Sequence, residues 1–458
     1  MLPDVEKQKT EKTKCGGKVR MEENRVLELQ RETPVYDTVD VLVLGAGPAG
    51  WGAAISAARE GAKTLLVEGS SDIGGVATTG LMSHWTGNTT GGIYEEIVER
   101  THHVYGKNPK LNDQEMRKYI DHETMKTRAL QMMREAGVKL LLNTMACEPY
   151  MEEDRLAGVF VENKSGRSLI RAKVSIDCTG DGDIAARAGA PYFKGRESDG
   201  AMQPMTLMVQ VGGVDVERME YVYAFEESYE VPEGDIQKLA RACIPAPAGH
   251  VLVYPSVFPG VVTLNMTNVT GVDGTNADDL TAAYIQCREQ LPEIMEFLQK
   301  HVPGFENSFV MKTASQIGVR ETRHFIGMRT ITEQDILSAR VFPDWAVANA
   351  HFNFDVHNIT GAGLDETGCQ KKFSQPKGYT IPYGCLVPQK VDGLLLAGRC
   401  ISGTHLAHSN YRVMPICANM GQAAGIAAAL CVSGGLQPRE LPVERLQERL
   451  MALGVKPE

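Results

Sequence analysis

A few side chains in this 458-residue chain have types and spacings suited to proton transfer or anion binding. His405 follows Thr404, and an imidazole exchanges a proton near neutral pH. Arg412, seven positions on, carries a planar fork that clamps a carboxylate or steadies enolate-like charge, and that serves equally to cap carbonyls or pair with an acid. Asp355 and His357 stand two apart. On a strand they share a face, and the carboxylate fixes the imidazole tautomer. Arg320, Glu321, Arg323 and His324 crowd into an otherwise apolar stretch, which reads as a surface ion-pair cluster or as the edge of an active site. His405, Arg412, His357 and Arg323 are the candidate catalytic residues.

A nucleotide motif supplies the partner for such chemistry. Gly45-Ala-Gly47-Pro48-Ala49-Gly50 satisfies G-x-G-x-x-G between an apolar run, Val39 to Leu44, and an Ala-rich helix reaching about Glu60. Gly45 permits the tight turn, Gly47 lets backbone N–H groups approach a pyrophosphate, and Gly50 lets helix and strand pack closely, with the helix N-terminus favouring negative charge. Glu68 closes a second short run, Lys63 to Val67, where a carboxylate accepts both ribose hydroxyls and repels a 2′-phosphate. Gly74-Gly75 then adds a second close backbone approach, which favours FAD over a cofactor bound by an NAD-only domain. Ile176 to Asp183 and Gly393 to Arg399 each end a strand in a Gly turn, so three such turns converge at one sheet edge.

These segments resemble the FAD-dependent oxidoreductases of the glutathione-reductase-like fold, and within them a bacterial group distantly related to fumarate reductase flavoprotein subunits. The resemblance covers about Leu27 to Gly435. It rests on GAGPAGWGAAISAAREGAKTLLVE, GGVATTG, DCTGDGDIAARAGAPY, GVRETRHFIGMRTITEQDI and the stretch from IPYGC to GIAAAL. It implies that Gly45, Gly47, Gly50 and Glu68 hold the ADP half, and that Thr179, Gly180 and Asp181 lie alongside the cofactor. It further implies that Gly398, Arg399 and the start of the last long helix meet the ribityl chain and flavin. Small residues there, Gly421 and Ala424 among them, suit a helix close to a cofactor or plain helix packing. His84 invites comparison with a flavin-linking histidine of fumarate reductase relatives, but its Ser-His-Trp-Thr setting matches only two residues, so FAD is expected to be held non-covalently. His408, Asn410 and Tyr411 depart from the family pattern and hint at a polar substrate.

The elements that position these residues read as an α/β protein: a Rossmann-like FAD-binding domain with an inserted α+β substrate or cap domain. The expected divisions are a mobile arm over 1–35, the FAD domain over 36–190 and 376–435, the insertion over 191–375, and a C-terminal helix over 436–458. A formal charge of −10, from 47 basic against 57 acidic residues, leaves no basic stripe for nucleic acid. No run reaches the ~18 uninterrupted apolar residues of a membrane helix. The polar N-terminus lacks a signal h-region, so a cytoplasmic location is expected. Ten cysteines without a C-x-x-C pair argue against zinc ribbons and iron–sulfur clusters, and no metal site is expected.

A second G-x-G-x-x-G after a strand is absent, so an external electron donor or acceptor of unknown identity must serve a small polar substrate: an alcohol, an amine or a C–C/C=C bond. A homo-oligomer is compatible with this. The alternatives are a non-redox or RNA-modifying flavoprotein and an electron-transfer subunit of a larger complex.

Overall fold

The computed structural model describes residues 21–22, 25–26, 31–364 and 377–457. Most of the expected arm lies outside the described residues, as does 365–376 of the loop-rich passage. The first sheet grows from β1 (Val35–Leu44), whose Val41 to Leu44 are buried on both faces, as a central parallel strand requires. It leads through α1 (Pro48–Arg59) to β2 (Thr64–Val67), parallel to it with Val41 opposite Thr64. Next come α2 (Ile93–Thr101), α3 (His122–Glu135) and β3 (Lys139–Leu141), the last parallel to β2.

An antiparallel meander follows: β4 (Met145–Glu152), β5 (Arg155–Asn163) and β6 (Gly166–Asp177). β6 is long enough to serve two purposes. Its first half pairs with β5, while the strand runs parallel to β1 up to Asp177, giving the order β3-β2-β1-β6-β5-β4. The short helix α4 (Asp183–Arg187) follows, with its first amides bound by the buried Asp177 carboxylate. β4 went unread in the sequence because its residues are exposed or half-buried and present no apolar run.

The chain then forms β7 (Tyr192–Lys194), β8 (Val209–Gly212), α5 (Ile236–Cys243), β9 (Val253–Pro255), β10 (Val262–Leu264), α6 (Ala277–Glu289), α7 (Leu291–His301), β11 (Phe309–Thr313) and β12 (Arg323–Phe325). Four of these make an antiparallel sheet, β9-β10-β8-β11, over a second core containing Leu207, Val211, Ile294 and Phe297. β12 instead pairs with β7, and Phe325, Ile331, Trp345 and Phe354 pack in the large first core, although their stretch reads as part of the insertion in sequence.

β13 (Trp345–Ala350) pairs with β14 (Tyr379–Pro382), and β15 (Leu394–Leu396) adds to the end of β6 with Leu394 opposite Ser175. The segment expected to join Arg399 to the last long helix is itself helical. This is α8 (His405–Tyr411), capped by the Thr404 hydroxyl at Ala407 N, 3.2 Å away. The long α9 (Met414–Gly434) and α10 (Val443–Ala452) complete the chain.

By length and composition α9 is apolar enough to cross a membrane, yet 83% of its most apolar window is buried inside the protein. It lies against α1 backbone to backbone. A Cβ added at Gly421 would stand 1.9 Å from Ala49 O, and one at Gly52 2.2 Å from Ala418 O. Gly421 is thus explained by helix packing. Gly421→Val is expected to cost about 3 kcal/mol, the upper end for overpacking, since backbone atoms must move apart, and to lower the thermal unfolding midpoint. An unchanged midpoint would mean the two helices separate freely.

Candidate active site

Three turns at the C-terminal edge of the parallel strands form one cradle. Gly45, at φ +89°, bends the chain out of β1, and its N–H reaches Val67 O at 2.8 Å. A Cβ at Gly50 would lie 1.8 Å from Gly45 O, so the head of α1 can sit on the strand end only with glycine there. Gly47 caps α1 without a side chain, Pro48 opens the helix, and the space where a Gly47 Cβ would stand is open. The Gly74–Gly75 turn folds back on this one: Gly74 N donates to Ala46 O at 2.8 Å, and a Gly75 Cβ would come within 2.9 Å of Gly47 Cα. Glu68 is held at the rim, accepting from Ala46 N at 2.7 Å and Ser70 N at 2.8 Å.

At the third turn Arg399 pairs with Asp181 at 2.9 Å. Its Nη1 is buried with no partner among the described residues, and Gly180 lies directly beneath the guanidinium. Gly398 packs on Ala49, and Ala424 is fully buried in the core. Thr179 shapes the turn through Asp177 at 2.7 Å. An uncapped helix N-terminus, a rim carboxylate and a guanidinium with one N–H group left unpartnered fit a dinucleotide with a pyrophosphate and ribose hydroxyls.

One segment, residues 315–323, ties this cradle to the charged residues. Ser315 N donates to Thr79 O at 3.0 Å, and Thr79 Oγ1 meets Gln316 Oε1 at 3.1 Å, so the segment starts beside the GGVATTG turn. It ends with Thr322 Oγ1 donating to Asp181 at 2.6 Å and Arg323 bound to Asp183 at 2.8 Å and Asp181 O at 2.9 Å. Arg323 therefore anchors the acidic turn. The reading of this group as a surface ion-pair cluster is corrected: Arg320, Glu321 and His324 are all buried, because the segment threads between the two cores.

The structure sorts the remaining candidates into two clusters. Arg412 Nη2 reaches Asp355 Oδ2 and Asp355 O, both at 2.9 Å, and Asp355 Oδ2 lies 3.4 Å from His357 Nε2. Arg320 stands close enough for the charges of Arg412 and Asp355 to act on it, and it donates to Pro204 O at 2.5 Å. Tyr254, His250 and Phe225 complete this cluster: Phe225 meets both His250 and His357 edge-on, at 4.9 and 5.1 Å. His405 belongs to the other cluster, where its Nδ1 lies 2.6 Å from Glu321 Oε1. His408, Asn410 and Tyr411 are all buried, and Asn410 accepts from Tyr379 OH at 2.7 Å.

Burial and the Arg320 cation push His357 down to about 4, so its imidazole is neutral at pH 7. Burial raises the Asp355 carboxyl, but His357 and the two arginines outweigh it and hold the group well below the usual carboxylate range. Burial and the neighbouring Arg412 lower Arg320 to about 10, which leaves it charged. At neutral pH this cluster thus holds two cations and one anion. Nothing in the isolated sequence marked His250 or Tyr254, the first a lone polar residue ahead of β9 and the second a lone polar residue within it.

The profile of the FAD dependent oxidoreductase family matches residues 40–450, and the chain belongs to that family. A fumarate reductase (cytochrome) from Shewanella frigidimarina is 50% identical over 54 residues, 11% of this chain and 10% of that protein. A dihydrolipoyl dehydrogenase from Chlorobaculum parvum is 31% identical over 171 residues, 35% of this chain and 32% of that one. The chain thus spans a tenth and a third of the lengths of these two relatives. A geranylgeranyl bacteriochlorophyll reductase-like protein from Thermoplasma acidophilum aligns at a TM-score of 0.44 and 14% identity, over 91% of this chain and 84% of that one. FAD is the cofactor.

Two outcomes are expected. Gly47→Val fills space that no protein atom needs, so it should leave the apoprotein melting point unchanged and sharply reduce FAD content after purification; retained flavin would move the pyrophosphate elsewhere. The second concerns acid. His122, His250 and His357 are depressed by burial to about 4, 3 and 4, so below the unfolded value near 6.5 the unfolded chain binds protons that the folded chain refuses. Stability should be full above pH 6.5 and fall as pH drops towards 4, by up to ~4 kcal/mol per pH unit. Urea midpoints at pH 7 and pH 5 measure this, and equal midpoints would contradict the burial of these imidazoles.

Proposed function

We propose that this protein is a cytoplasmic FAD-dependent dehydrogenase or reductase of a small polar anion, acting on an alcohol, amine or C–C/C=C bond next to a carboxylate-like group. The observation that carries the reading is the Arg412–Asp355 ion pair at 2.9 Å with a second buried cation, Arg320, close enough for the Asp355 charge to act on it, in a cluster tied through residues 315–323 to the turn that holds Thr79. Bound FAD supplies two-electron redox chemistry. The protein contributes the rest. Two cations against one anion leave a net charge of about +1, which suits a monoanion. Arg412 uses Nη2 for Asp355, while its Nε is buried without a partner among the described residues and remains for substrate.

The Asp355 carboxylate, 3.4 Å from His357 Nε2, favours the tautomer with the proton on Nε2 and the lone pair on Nδ1, the atom that takes or returns the substrate proton. Tyr254, pushed up to about 12 by burial, is a neutral phenol that donates. The unit around the second core acts as the cap that keeps water from this cluster. A quinone, a protein carrier or oxygen closes the cycle by exchanging the two electrons with the enzyme. FAD is held non-covalently, so acid precipitation should release the colour; a yellow pellet would point to a linked flavin.

The test uses the FAD-loaded enzyme and a panel of small carboxylates and their uncharged analogues, read by flavin bleaching. Arg412→Lys should keep FAD, raise KM and slow reduction, because the ammonium lacks the planar fork. His357→Gln should slow reduction by roughly 10²–10⁴ with KM little changed. Wild-type rates in both variants at saturating substrate would remove this cluster from the reaction.

A further inference from the structure

We propose that Glu321, His324 and His408 bind one divalent transition-metal ion of the zinc or iron(II) class. The three come from two elements distant in sequence, the run entering β12 and helix α8, and all are buried, with relative exposures of 1%, 0% and 1%. Each offers a ligand atom, and these atoms lie within 4.8 Å of one another. Two imidazoles and a carboxylate form a donor set that suits zinc or iron(II), whereas copper(I) prefers thiolates.

The surroundings are built as a metal centre's usually are. Glu321 Oε2 accepts from Gln203 N at 3.0 Å, and Oε1 lies 2.6 Å from His405 Nδ1, so the carboxylate is oriented by groups outside the donor set. The His324 ring stacks on Phe193 at 4.9 Å and 8°, and the His408 ring stands edge-on to His324 at 4.8 Å and to Tyr411 at 5.6 Å. Aromatic walls thus fix both rings.

Hydrogen bonding alone does not satisfy this cluster. Glu321 gathers three donors, while Nδ1 of His324 and Nδ1 of His408 are buried with no partner among the described residues. Burying an imidazole nitrogen without a partner costs free energy, and a cation bound here would use the lone pair that His408 leaves idle. Arg320 adjoins Glu321, and Arg412 closes α8, so an ion at this point clamps together the two segments that carry the arginines.

The experiment takes FAD-loaded protein stripped with a chelator, dialyses it against Zn²⁺ or Co²⁺, removes free metal by gel filtration and counts metal per chain by mass spectrometry. Wild type should retain about one equivalent, as expected of a closed site, and melt at a higher temperature than the stripped form. The Co²⁺ form should show ligand-field bands. His324→Phe and His408→Phe keep an aromatic ring in each slot, and retention of FAD reports that they fold; both should lose the metal and the bands. Should either fail to fold, His324→Gln and His408→Asn replace it. Less than about a tenth of an equivalent in wild type would overturn the proposal. Undiminished metal in variants that keep FAD would overturn it as well.

Discussion

The contact between α1 and α9 is the constraint from which the rest of the arrangement follows. Gly52, Gly421 and Gly425 let the two backbones meet with no side chain between them. Any Cβ on that line would separate the helices and draw the head of α1 away from the strand edge. Their close approach places Gly47 and the start of α9 on the same side of the sheet. The third Gly turn then falls beside the first, with Gly398 against Ala49. The small-residue stripe thus acts on the site indirectly, by fixing where two helix ends lie.

A second constraint is electrostatic. Residues 315–323 carry Arg320, Glu321 and Arg323 between two apolar cores, where an unpaired charge would be expensive. Each is met by a partner of its own: Arg323 by Asp183, Glu321 by His324 and His405, and Arg320 by backbone carbonyl and the field of Asp355. The pairing divides the charged residues into three groups with different consequences. One braces the acidic turn, one gathers histidines around Glu321, and one leaves an excess positive charge facing a neutral imidazole. The same burial that makes the histidines proton acceptors at neutral pH makes the fold sensitive to acid.

Gln203 shows how closely the last two groups are linked. Its N–H donates to Glu321, and its side-chain oxygen accepts from His357 N at 3.2 Å, so one residue touches both clusters. A displacement at Glu321 is therefore felt at His357 through Gln203, from its backbone N–H to its side-chain oxygen, rather than across solvent.

By itself the sequence determined the cofactor cradle. The G-x-G-x-x-G turn, Glu68 at its spacing, the second Gly pair and the helix that follows are local features, set by backbone conformations and short distances that neighbouring residues dictate. Apolar runs likewise announced β1, β2, β5 and β6, because each carries a stretch of consecutive buried residues: 41–44, 64–67, 156–159 and 174–177. Only the tertiary structure decided the partners of the charged residues. His405 and Arg412 are seven residues apart and looked like a pair, yet opposite ends of α8 deliver one to Glu321 and the other to Asp355. Strand β4 and the burial of His408, Asn410 and Tyr411 were hidden for a related reason: half-exposed strands and hydrogen-bonded polar cores leave no hydrophobic period in the sequence. A charge's role is set by what stands within a few ångströms of it in space, and spacing along the chain carries that information only where the chain is locally regular.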